Sequence, residues 1–310
     1  MAGKHVLIVS PASERENNGN WQTARRWSLY LREHHRVAIA PGWDAASPNP
    51  PDIMIALHAR RCAAPLISFA KTRVIYQSAP SLPAKNTARE RQHMDICMIG
   101  HLRAEKDPLT FMRAAELITS RRARMLHIGA ALDPALGDAA TDMAARNPKY
   151  QYLGELPHAT ARQRLKKSHV MVIASVMEGG ANVIIEAVTS GVPVLASDIS
   201  GNRGMLGEDY AGYFPVGDAE ALARLIDRSI EDAAFHAQLR IQCEARAALF
   251  DPVAERAAVL DLVDNLLLDA ARKAAATATL TATSSTAAAD AADAVDQAQW
   301  TSRSGSTAAD

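Results

Sequence analysis

The stretch Val170–Ser197 reads VMVIASVMEGGANVIIEAVTSGVPVLAS and contains two short apolar runs separated by a helical segment. The first run is typical of a buried strand, and a loop with two adjacent glycines follows it. The pattern predicts a helix that begins near Asn182 and is ended by Gly191 and Pro193 before the second apolar run. A strand, a glycine loop, a helix and a strand in this order indicate a parallel sheet covered by helices.

The same alternation extends through most of the chain and forms two series. The first predicts strands at His5–Ser10, Arg36–Ala40, Asp52–Leu57 and Arg73–Gln77, with helices at Gln22–Glu33 and Arg60–Ala70. The second predicts strands at Ile96–Ile99, Arg124–Ile128, Tyr150–Leu153, Val170–Ala174 and Pro193–Ala196, with closing helices at Ala219–Asp232 and Val253–Asp269. The predicted fold class is α/β, with two Rossmann-like parallel-sheet domains that face a cleft.

The predicted domain boundaries follow from composition. The segment Ser81–Met94 is polar and lacks periodicity, as expected of a linker, so we place one domain at residues 1–85 and a second at residues 86–270. From residue 271 to residue 310 the chain consists mainly of Ala, Thr, Ser and Asp. Because this composition offers little apolar surface to bury, it predicts a disordered tail.

Overall composition limits the classes of function and the compartment. Lys plus Arg and Asp plus Glu both number 34, so the chain lacks the excess positive charge that supports binding to nucleic acid or to anionic membranes. Cys62, Cys97 and Cys243 form no C-x-x-C pair, which argues against a zinc site or a disulfide framework and favours a reduced cytoplasm. No run reaches the ~18 apolar residues that span a bilayer, and Val6–Val9 is too short for a signal-peptide core. The sequence gives no indication of an oligomeric state.

The loop before the predicted helix is the first candidate for a ligand site. Open parallel sheets bind ligands at the carboxyl ends of their strands, and a buried strand ends at this loop. The two glycines carry no Cβ, so a ligand can approach their backbone closely. The free N–H groups and the positive dipole end of the helix attract an anion, so a sugar diphosphate is expected to bind there. The residues of this predicted site are Gly179, Gly180, Ala181 and Asn182.

Two glutamates flank this loop. Glu178 lies before the helix, and Glu186 lies about one turn inside it, roughly 6 Å from the helix start at about 1.5 Å per residue. An ionised carboxylate accepts two hydroxyl donors at once, so Glu186 suits a ribose diol and Glu178 suits hydroxyls of a transferred sugar. The alternatives are a solvated helix face for Glu186 and an ordinary loop position for Glu178.

Further candidates lie elsewhere along the chain. Gly19 and Asn20 open a predicted helix and either close over a diphosphate or form a simple capped turn. His58 follows a strand and is either a catalytic base or anion contact, or a structural residue. Arg203 lies in a predicted glycine-rich loop, Ser200–Gly207, where it is placed to contact phosphate. The histidines lack metal-ligand spacing and no D-x-D occurs, so we expect no metal cofactor.

The two glutamates, separated by seven residues, resemble the nucleotide-sugar motif of the GT-B glycosyltransferases that include sucrose and glycogen synthases. The run Ile99–Pro108 resembles the loop of that family's donor domain that supplies an arginine and a lysine to the pyrophosphate. Lys106 matches the lysine, and His101 stands where many members have arginine, a role that Arg103 is placed to take. The resemblance implies that Lys106 and Arg103 neutralise the leaving diphosphate, whereas the alternative is ordinary loop charges.

A closer resemblance depends on several motifs together. They are Asn18–Asn20, Ala56–Arg61, Gln77–Ala79, Gly100–Arg103, Lys106–Pro108, Met177–Asn182 and Gly201–Gly207. These motifs resemble the selenosugar synthases of selenoneine biosynthesis, and the likeness spans most of residues 4–270. It implies a GT-B enzyme that joins the sugar of a UDP-hexose or UDP-N-acetylhexosamine to selenium delivered by selenophosphate. It makes residues 1–85 the acceptor side and residues 86–270 the nucleotide-sugar-binding domain.

One difference from that family concerns the first domain. Members have several tens more residues between the helix at Arg60–Ala70 and the strand at Arg73–Gln77, whereas here Lys71 and Thr72 join the two directly. We therefore expect a truncated N-terminal domain. Two alternatives stay open, namely a glycosyltransferase that acts on an ordinary hydroxyl acceptor and a nucleotide-sugar-binding protein without turnover.

Overall fold

The computed structural model describes residues 3–12, 19–43, 48–57, 75–79 and 92–277. The chain forms two units. One comprises Met1–Glu16, Ala24–Ser68 and Ala257–Asp310, and the other comprises Asn17–Thr23 and Phe69–Arg256. The domain boundaries expected at residues 85 and 270 stay predictions.

The first unit contains a parallel sheet of three strands. These are β1 (His5–Val9), β2 (Arg36–Ala40) and β3 (Ile53–Ala56), in the order β2-β1-β3. Residues 6–9 of β1 are all buried, as expected of an apolar central strand in a parallel sheet. Between β1 and β2 lies α1 (Gly19–Leu31), whose Ala24 and Leu31 are fully buried two turns apart.

The predicted strands and helix of this region are confirmed except near residue 75. The predicted helix Arg60–Ala70 and the first residues of the predicted strand Arg73–Gln77 lie outside the described residues. Residues 75–79 form no strand, so that part of the prediction is wrong. The backbone N–H of Ser78 donates to a carboxylate oxygen of Glu255 at 3.1 Å, which replaces the hydrogen bond that a sheet neighbour would supply.

The second unit contains a parallel sheet of six strands in the order β6-β5-β4-β7-β8-β9. The strands are β4 (Met94–Ile99), β5 (Ala123–Ile128), β6 (Tyr150–Tyr152), β7 (Val170–Ile173), β8 (Val194–Ser197) and β9 (Tyr213–Phe214). All neighbouring pairs are parallel. Five of these strands match predicted ones, whereas β9 was not predicted because two residues are too few to show a period.

Helices follow the strands of the second unit. They are α2 (Pro108–Leu117), α3 (Pro134–Arg146), α4 (His158–Lys167), α5 (Asn182–Thr189), α6 (Ser200–Leu206), α7 (Ala219–Glu231) and α8 (Ala233–Arg246). Four of them begin at an aspartate whose side chain accepts a hydrogen bond from an amide of the first turn, namely Asp107, Asp133, Asp218 and Asp232. This local capping explains why these helices begin where they do.

The strand order reverses direction between β4 and β7. From β4 the chain continues outward to β5 and β6, and then returns to β7 on the other side of β4 before it continues to β8 and β9. Ligands of open α/β sheets bind in the crevice at such a switch point, outside the carboxyl ends of the strands. The two loops at this point are residues 100–107, after β4, and residues 174–181, after β7.

Two segments differ from the predictions. The predicted glycine-rich loop Ser200–Gly207 forms α6 instead, in which Gly201 allows the helix to pack closely against the backbone of Glu178. The closing helix predicted at Val253–Asp269 spans residues 252–277, so the first seven residues of the predicted disordered tail are helical. Alanine is the strongest helix former, which explains this extension. Residues 278–310 lie outside the described part of the chain.

Within the described residues, no helix is both long enough and apolar enough to span a bilayer.

Candidate functional site

The candidate site lies where β4 and β7 end. The two loops at this switch point are tied together, because the backbone N–H of Val176 donates to the carbonyl oxygen of Glu105 at 3.0 Å. Lys106 and Glu178 lie on these two loops and form an ion pair between Nζ and Oε1. Their side chains are only 19% and 11% exposed, so the pair is partly shielded from water and its attraction exceeds that of a surface pair.

Glu178 is also held from the protein side. The hydroxyl of Ser175 donates to the same Oε1 atom at 2.7 Å. A Cβ at Gly201, in α6, would overlap the carbonyl oxygen of Glu178, so glycine is the residue that allows α6 to pack against this loop. Glu178 therefore does not occupy an ordinary, unconstrained loop position.

The start of α5 leaves room for a ligand. A Cβ built at Gly179 or Gly180 meets no atom within 4 Å, and both residues are exposed. The N-cap residue Ala181 supplies no side-chain hydrogen bond to the first turn. The glycine loop before α5 is thus open, and the N-cap residue of α5 provides no side-chain cap, an arrangement that suits an anion. Binding of a diphosphate by these residues and Asn182 stays a prediction.

Glu186 lies one turn into α5 and is paired with α4. Its Oε1 is 2.7 Å from Nε2 of His158 and 3.9 Å from Nε of Arg162. Its side chain is 14% exposed, which differs from the solvated face considered as the alternative. The contact with a ribose diol stays a prediction.

The remaining residues of the loop after β4 are largely bound to their neighbours. Arg103 pairs with Glu105 at 3.0 Å, and both side chains are about half exposed. The backbone N–H of Ala130 donates to Nδ1 of His101 at 3.1 Å, so this imidazole is attached to the loop after β5. His101 and Arg103 are both exposed, and contact of Arg103 with the pyrophosphate stays a prediction.

Arg203 is placed among acids. Its guanidinium donates to both carboxylate oxygens of Asp198, at 2.5 and 2.8 Å, and to Glu208 at 2.7 Å. These hydrogen bonds lower the pKa of Asp198 and raise that of Arg203. The guanidinium also lies over the ring of Tyr213. A phosphate at Arg203 would have to displace one carboxylate, and this contact stays a prediction.

Three predicted residues come from the N-terminal part of the sequence. Gly19 lies next to α5, because a Cβ there would be 2.8 Å from Nδ2 of Asn182. Both residues belong to the second unit. Asn20 is the next residue of α1. His58 lies outside the described residues, so its role as base or anion contact stays a prediction.

The described ranges contain no cluster of three or more His, Cys, Asp and Glu side chains arranged to hold a metal ion. The expectation that no metal is needed stays a prediction.

The switch-point loops, the uncapped helix and the two partly buried glutamates all lie in one segment, and this segment has known relatives. Residues 93–232 match the family of group 1 glycosyl transferases. The matched range extends from just before β4 to the end of α7 and includes Lys106, Glu178 and Glu186. For these residues, the match confirms the resemblance to glycosyltransferases that the sequence motifs indicated.

Solved structures of glycosyltransferases share the fold. A glycosyltransferase from Rickettsia africae is 15% identical with a TM-score of 0.64, over 86% of this chain and 99% of that protein. HepE from Anabaena, solved with UDP-glucose, is 19% identical with a TM-score of 0.50, over 56% of this chain and 49% of HepE. The pneumococcal O-GlcNAc transferase GtfA, solved with UDP and GlcNAc, is 17% identical with a TM-score of 0.51, over 84% of this chain and 45% of GtfA.

These similarities confirm the α/β fold class with parallel sheets and GT-B neighbours. The chain spans about half the length of HepE. At such low identity the likeness concerns the fold, so the donor and acceptor have to be argued from the site itself.

Sequence reasoning missed three residues of the site. Ser175, at the end of β7, and His158 and Arg162, on α4, all contact one of the two glutamates. A signal existed for His158, because it follows a predicted strand and therefore had to lie at the carboxyl edge of the sheet. Ser175 carried no signal, since a buried serine after a strand is common.

Proposed function

We propose that this chain is a glycosyltransferase that transfers a hexosyl or N-acetylhexosaminyl group from a UDP-sugar to a small acceptor. The observation that carries the proposal is the partly buried Lys106–Glu178 pair at the switch point, beside an uncapped helix start. A cation, a set of amides and a carboxylate that meet in one crevice provide contacts for both halves of a sugar diphosphate. The family match of residues 93–232 supports the same class.

In this proposal each group contacts a different part of the UDP-sugar. The amides at the start of α5 and the Nζ of Lys106 hold the diphosphate, with Arg103 as a second cation. Glu178 accepts hydroxyls of the transferred sugar, and Glu186 accepts those of the ribose. The donor therefore replaces the Lys106–Glu178 ion pair with two new contacts, one for each partner. HepE and GtfA, which share the fold, were solved with UDP-glucose and with UDP and GlcNAc.

The reaction breaks the bond between the sugar C1 and the oxygen of the β-phosphate, and UDP leaves with the bonding electron pair. A bond from C1 to the acceptor atom forms in the same step or the next. Negative charge develops on the departing diphosphate, so a fixed cation and fixed amides stabilise the transition state. Orientation of donor and acceptor supplies the remaining acceleration without a covalent protein nucleophile.

The acceptor that we propose is selenophosphate, whose selenium forms the bond to C1. Water then cleaves the Se–P bond and releases phosphate, so that the product is a selenosugar and the chain is a selenosugar synthase of selenoneine biosynthesis. This choice depends on the motif resemblance along residues 4–270. A hydroxyl acceptor is the alternative. A protein that binds the nucleotide sugar without turnover is the other alternative, because the described sheet of the first unit has three strands and that of the second has six.

We also propose that transfer needs no metal and takes place in the cytoplasm. The cationic and amide groups near the proposed diphosphate site support metal independence. Addition of EDTA is expected to leave the rate of UDP release unchanged. A rate that falls with EDTA and recovers with Mg²⁺ or Mn²⁺ would contradict this part of the proposal.

One assay separates the three functions. The protein is incubated with UDP-glucose or UDP-N-acetylglucosamine, with and without selenophosphate, and UDP release and product mass are followed. Release that depends on selenophosphate supports the selenosugar synthase. Release that needs a hydroxyl acceptor supports the first alternative, and saturable binding without release supports the second. Absence of binding to either UDP-sugar would contradict all three.

A further inference from the structure

A hydrogen-bonded series of buried polar groups lies behind Glu178, toward the interior of the second unit. Ser175, Ser197 and Asn202 are all fully buried. They come from three places, because Ser175 follows β7, Ser197 ends β8 and Asn202 lies in α6. Buried hydroxyl and amide groups are costly unless they are hydrogen bonded, so their partners indicate what they are for.

The hydrogen bonds of this series connect Asn202 to Ser197, Ser197 to Ser175 and Ser175 to Glu178. Nδ2 of Asn202 donates to the carbonyl oxygen and to Oγ of Ser197, at 2.9 and 3.1 Å. Oγ of Ser197 donates to the carbonyl oxygen of Ser175 at 2.6 Å. Oγ of Ser175 then donates to Oε1 of Glu178 at 2.7 Å. Three elements of the second unit thereby fix one carboxylate.

These hydrogen bonds also determine which carboxylate oxygen of Glu178 is available to a ligand. Oε1 accepts from both Ser175 and Lys106, which leaves Oε2 for the hydroxyls of a sugar. When a diphosphate binds, Lys106 is expected to move to it. Ser175 is then the contact that continues to hold Oε1 and keeps Oε2 oriented.

We propose that Ser175 is a positioning residue that orients the Glu178 carboxylate toward the transferred sugar, and that Ser197 and Asn202 hold Ser175 in place. This inference depends on the proposed function, since it assigns the sugar to Glu178. Loss of the Ser175 hydroxyl should weaken recognition of the sugar and leave recognition of UDP unchanged.

The test measures the affinities of full-length protein for UDP and for the preferred UDP-sugar by titration calorimetry. For Ser175→Ala we expect the affinity for the UDP-sugar to fall about tenfold, as for loss of a hydrogen bond to a charged group, and the affinity for UDP to change less than about twofold. Ser175→Thr, which keeps the hydroxyl, should recover most of the loss. Ser190→Ala is the matched control, because its buried hydroxyl has no hydrogen-bond partner among the described residues.

Each outcome bears on a specific claim. An unchanged ratio of UDP-sugar to UDP affinity in Ser175→Ala, or an equal loss in Ser190→Ala, overturns the positioning role and leaves the proposed function intact. Wild-type protein that binds neither ligand contradicts the proposed function, and the positioning role with it. If Ser175→Ala does not fold, Ser197→Ala replaces it, since the Ser197 hydroxyl acts through the Ser175 carbonyl. It should lower the same ratio by a smaller factor, and an unchanged ratio overturns the proposal.

Discussion

The Lys106–Glu178 ion pair brings together two charges that a donor is proposed to separate. Lys106→Met should lower UDP affinity about tenfold, because a charge-assisted contact to the diphosphate is lost. It should also lower the free energy of unfolding by about 1–3 kcal/mol, between the values for exposed and buried pairs, because it leaves Glu178 without its cation. The double variant Lys106→Met/Glu178→Gln should regain stability in urea melts but not UDP affinity. Normal UDP binding by Lys106→Met would contradict the proposed contact between Lys106 and the diphosphate.

A substitution at Glu186 tests the proposed contact with the ribose of the donor. Glu186→Gln keeps the size of the side chain and removes its charge, so the ribose diol loses a strong acceptor. We expect UDP affinity to fall about tenfold. Glu116→Gln is the control, since this acid is also on a helix and pairs with an arginine, Arg146, but its side chain is 41% exposed. Equal UDP binding by wild type and Glu186→Gln would refute the ribose contact.

At the scale of elements, the packing of α6 against the loop of Glu178 can be tested with two glycines of one helix. Gly201→Ala introduces a Cβ that overlaps the Glu178 carbonyl, so α6 or the loop has to shift and the affinity for a UDP-sugar should fall at least about fivefold. Gly204→Ala introduces a Cβ that meets nothing within 4 Å and should raise stability by about 0.5–1 kcal/mol. Thermal melts and calorimetry of both variants give the comparison. Similar behaviour of the two variants would mean that the close contact at Gly201 is unimportant.

Secondary structure is predictable from the sequence where its pattern is local. It is not predictable where contacts between distant segments determine the conformation. The strand, loop and helix of Val170–Ser197 are predictable because apolar runs, paired glycines and a stop signal are adjacent in the chain. The helix α6 is not predictable, since glycines are typical of a loop and only the structure shows the backbone of Glu178 beside Gly201. Ser78 is similar, because its amide is bonded to Glu255 from a remote helix. Composition also misjudged residues 271–277, where alanine extends a helix begun upstream.

The site itself shows the same division. Glu178 and Glu186 are candidates because their spacing around a glycine loop suits a nucleotide sugar, and Lys106 is a candidate because its loop resembles that of the GT-B donor domain. Their roles stay predictions. Their partners were not identified, since Ser175 lies beside Glu178 only through the bend after β7, and His158 reaches Glu186 from another helix. The sequence thus provides candidates for contact with the donor but does not indicate the side chains that orient them.

At the scale of the whole molecule, the proposed donor residues in the described ranges belong to the second unit, which includes Gly19 and Asn20. Donor binding is therefore expected to depend on the integrity of that unit. Among the buried titratable groups of its core is the imidazole of His127, whose protonated form is disfavoured by burial. This side chain is fully buried in β5, and Nδ1 lies 2.6 Å from the hydroxyl of Tyr150. Its Nε2 has no partner among the described residues, so a proton there would lack an acceptor.

Burial lowers the pKa of His127 to about 4, from an ordinary value of 6.5. Above about pH 7 the imidazole is neutral in both the folded and the unfolded chain and adds no pH dependence. As the pH falls below 6.5 the unfolded chain takes up a proton that the folded chain does not, so stability decreases until about pH 4, where the folded chain is protonated too. Between pH 7 and pH 5 this amounts to about 2 kcal/mol, at about 1.4 kcal/mol per pH unit. Urea unfolding at these two pH values should show this loss in wild type and a smaller loss in His127→Gln, which cannot titrate. Identical losses in the two proteins would assign the acid sensitivity to other groups.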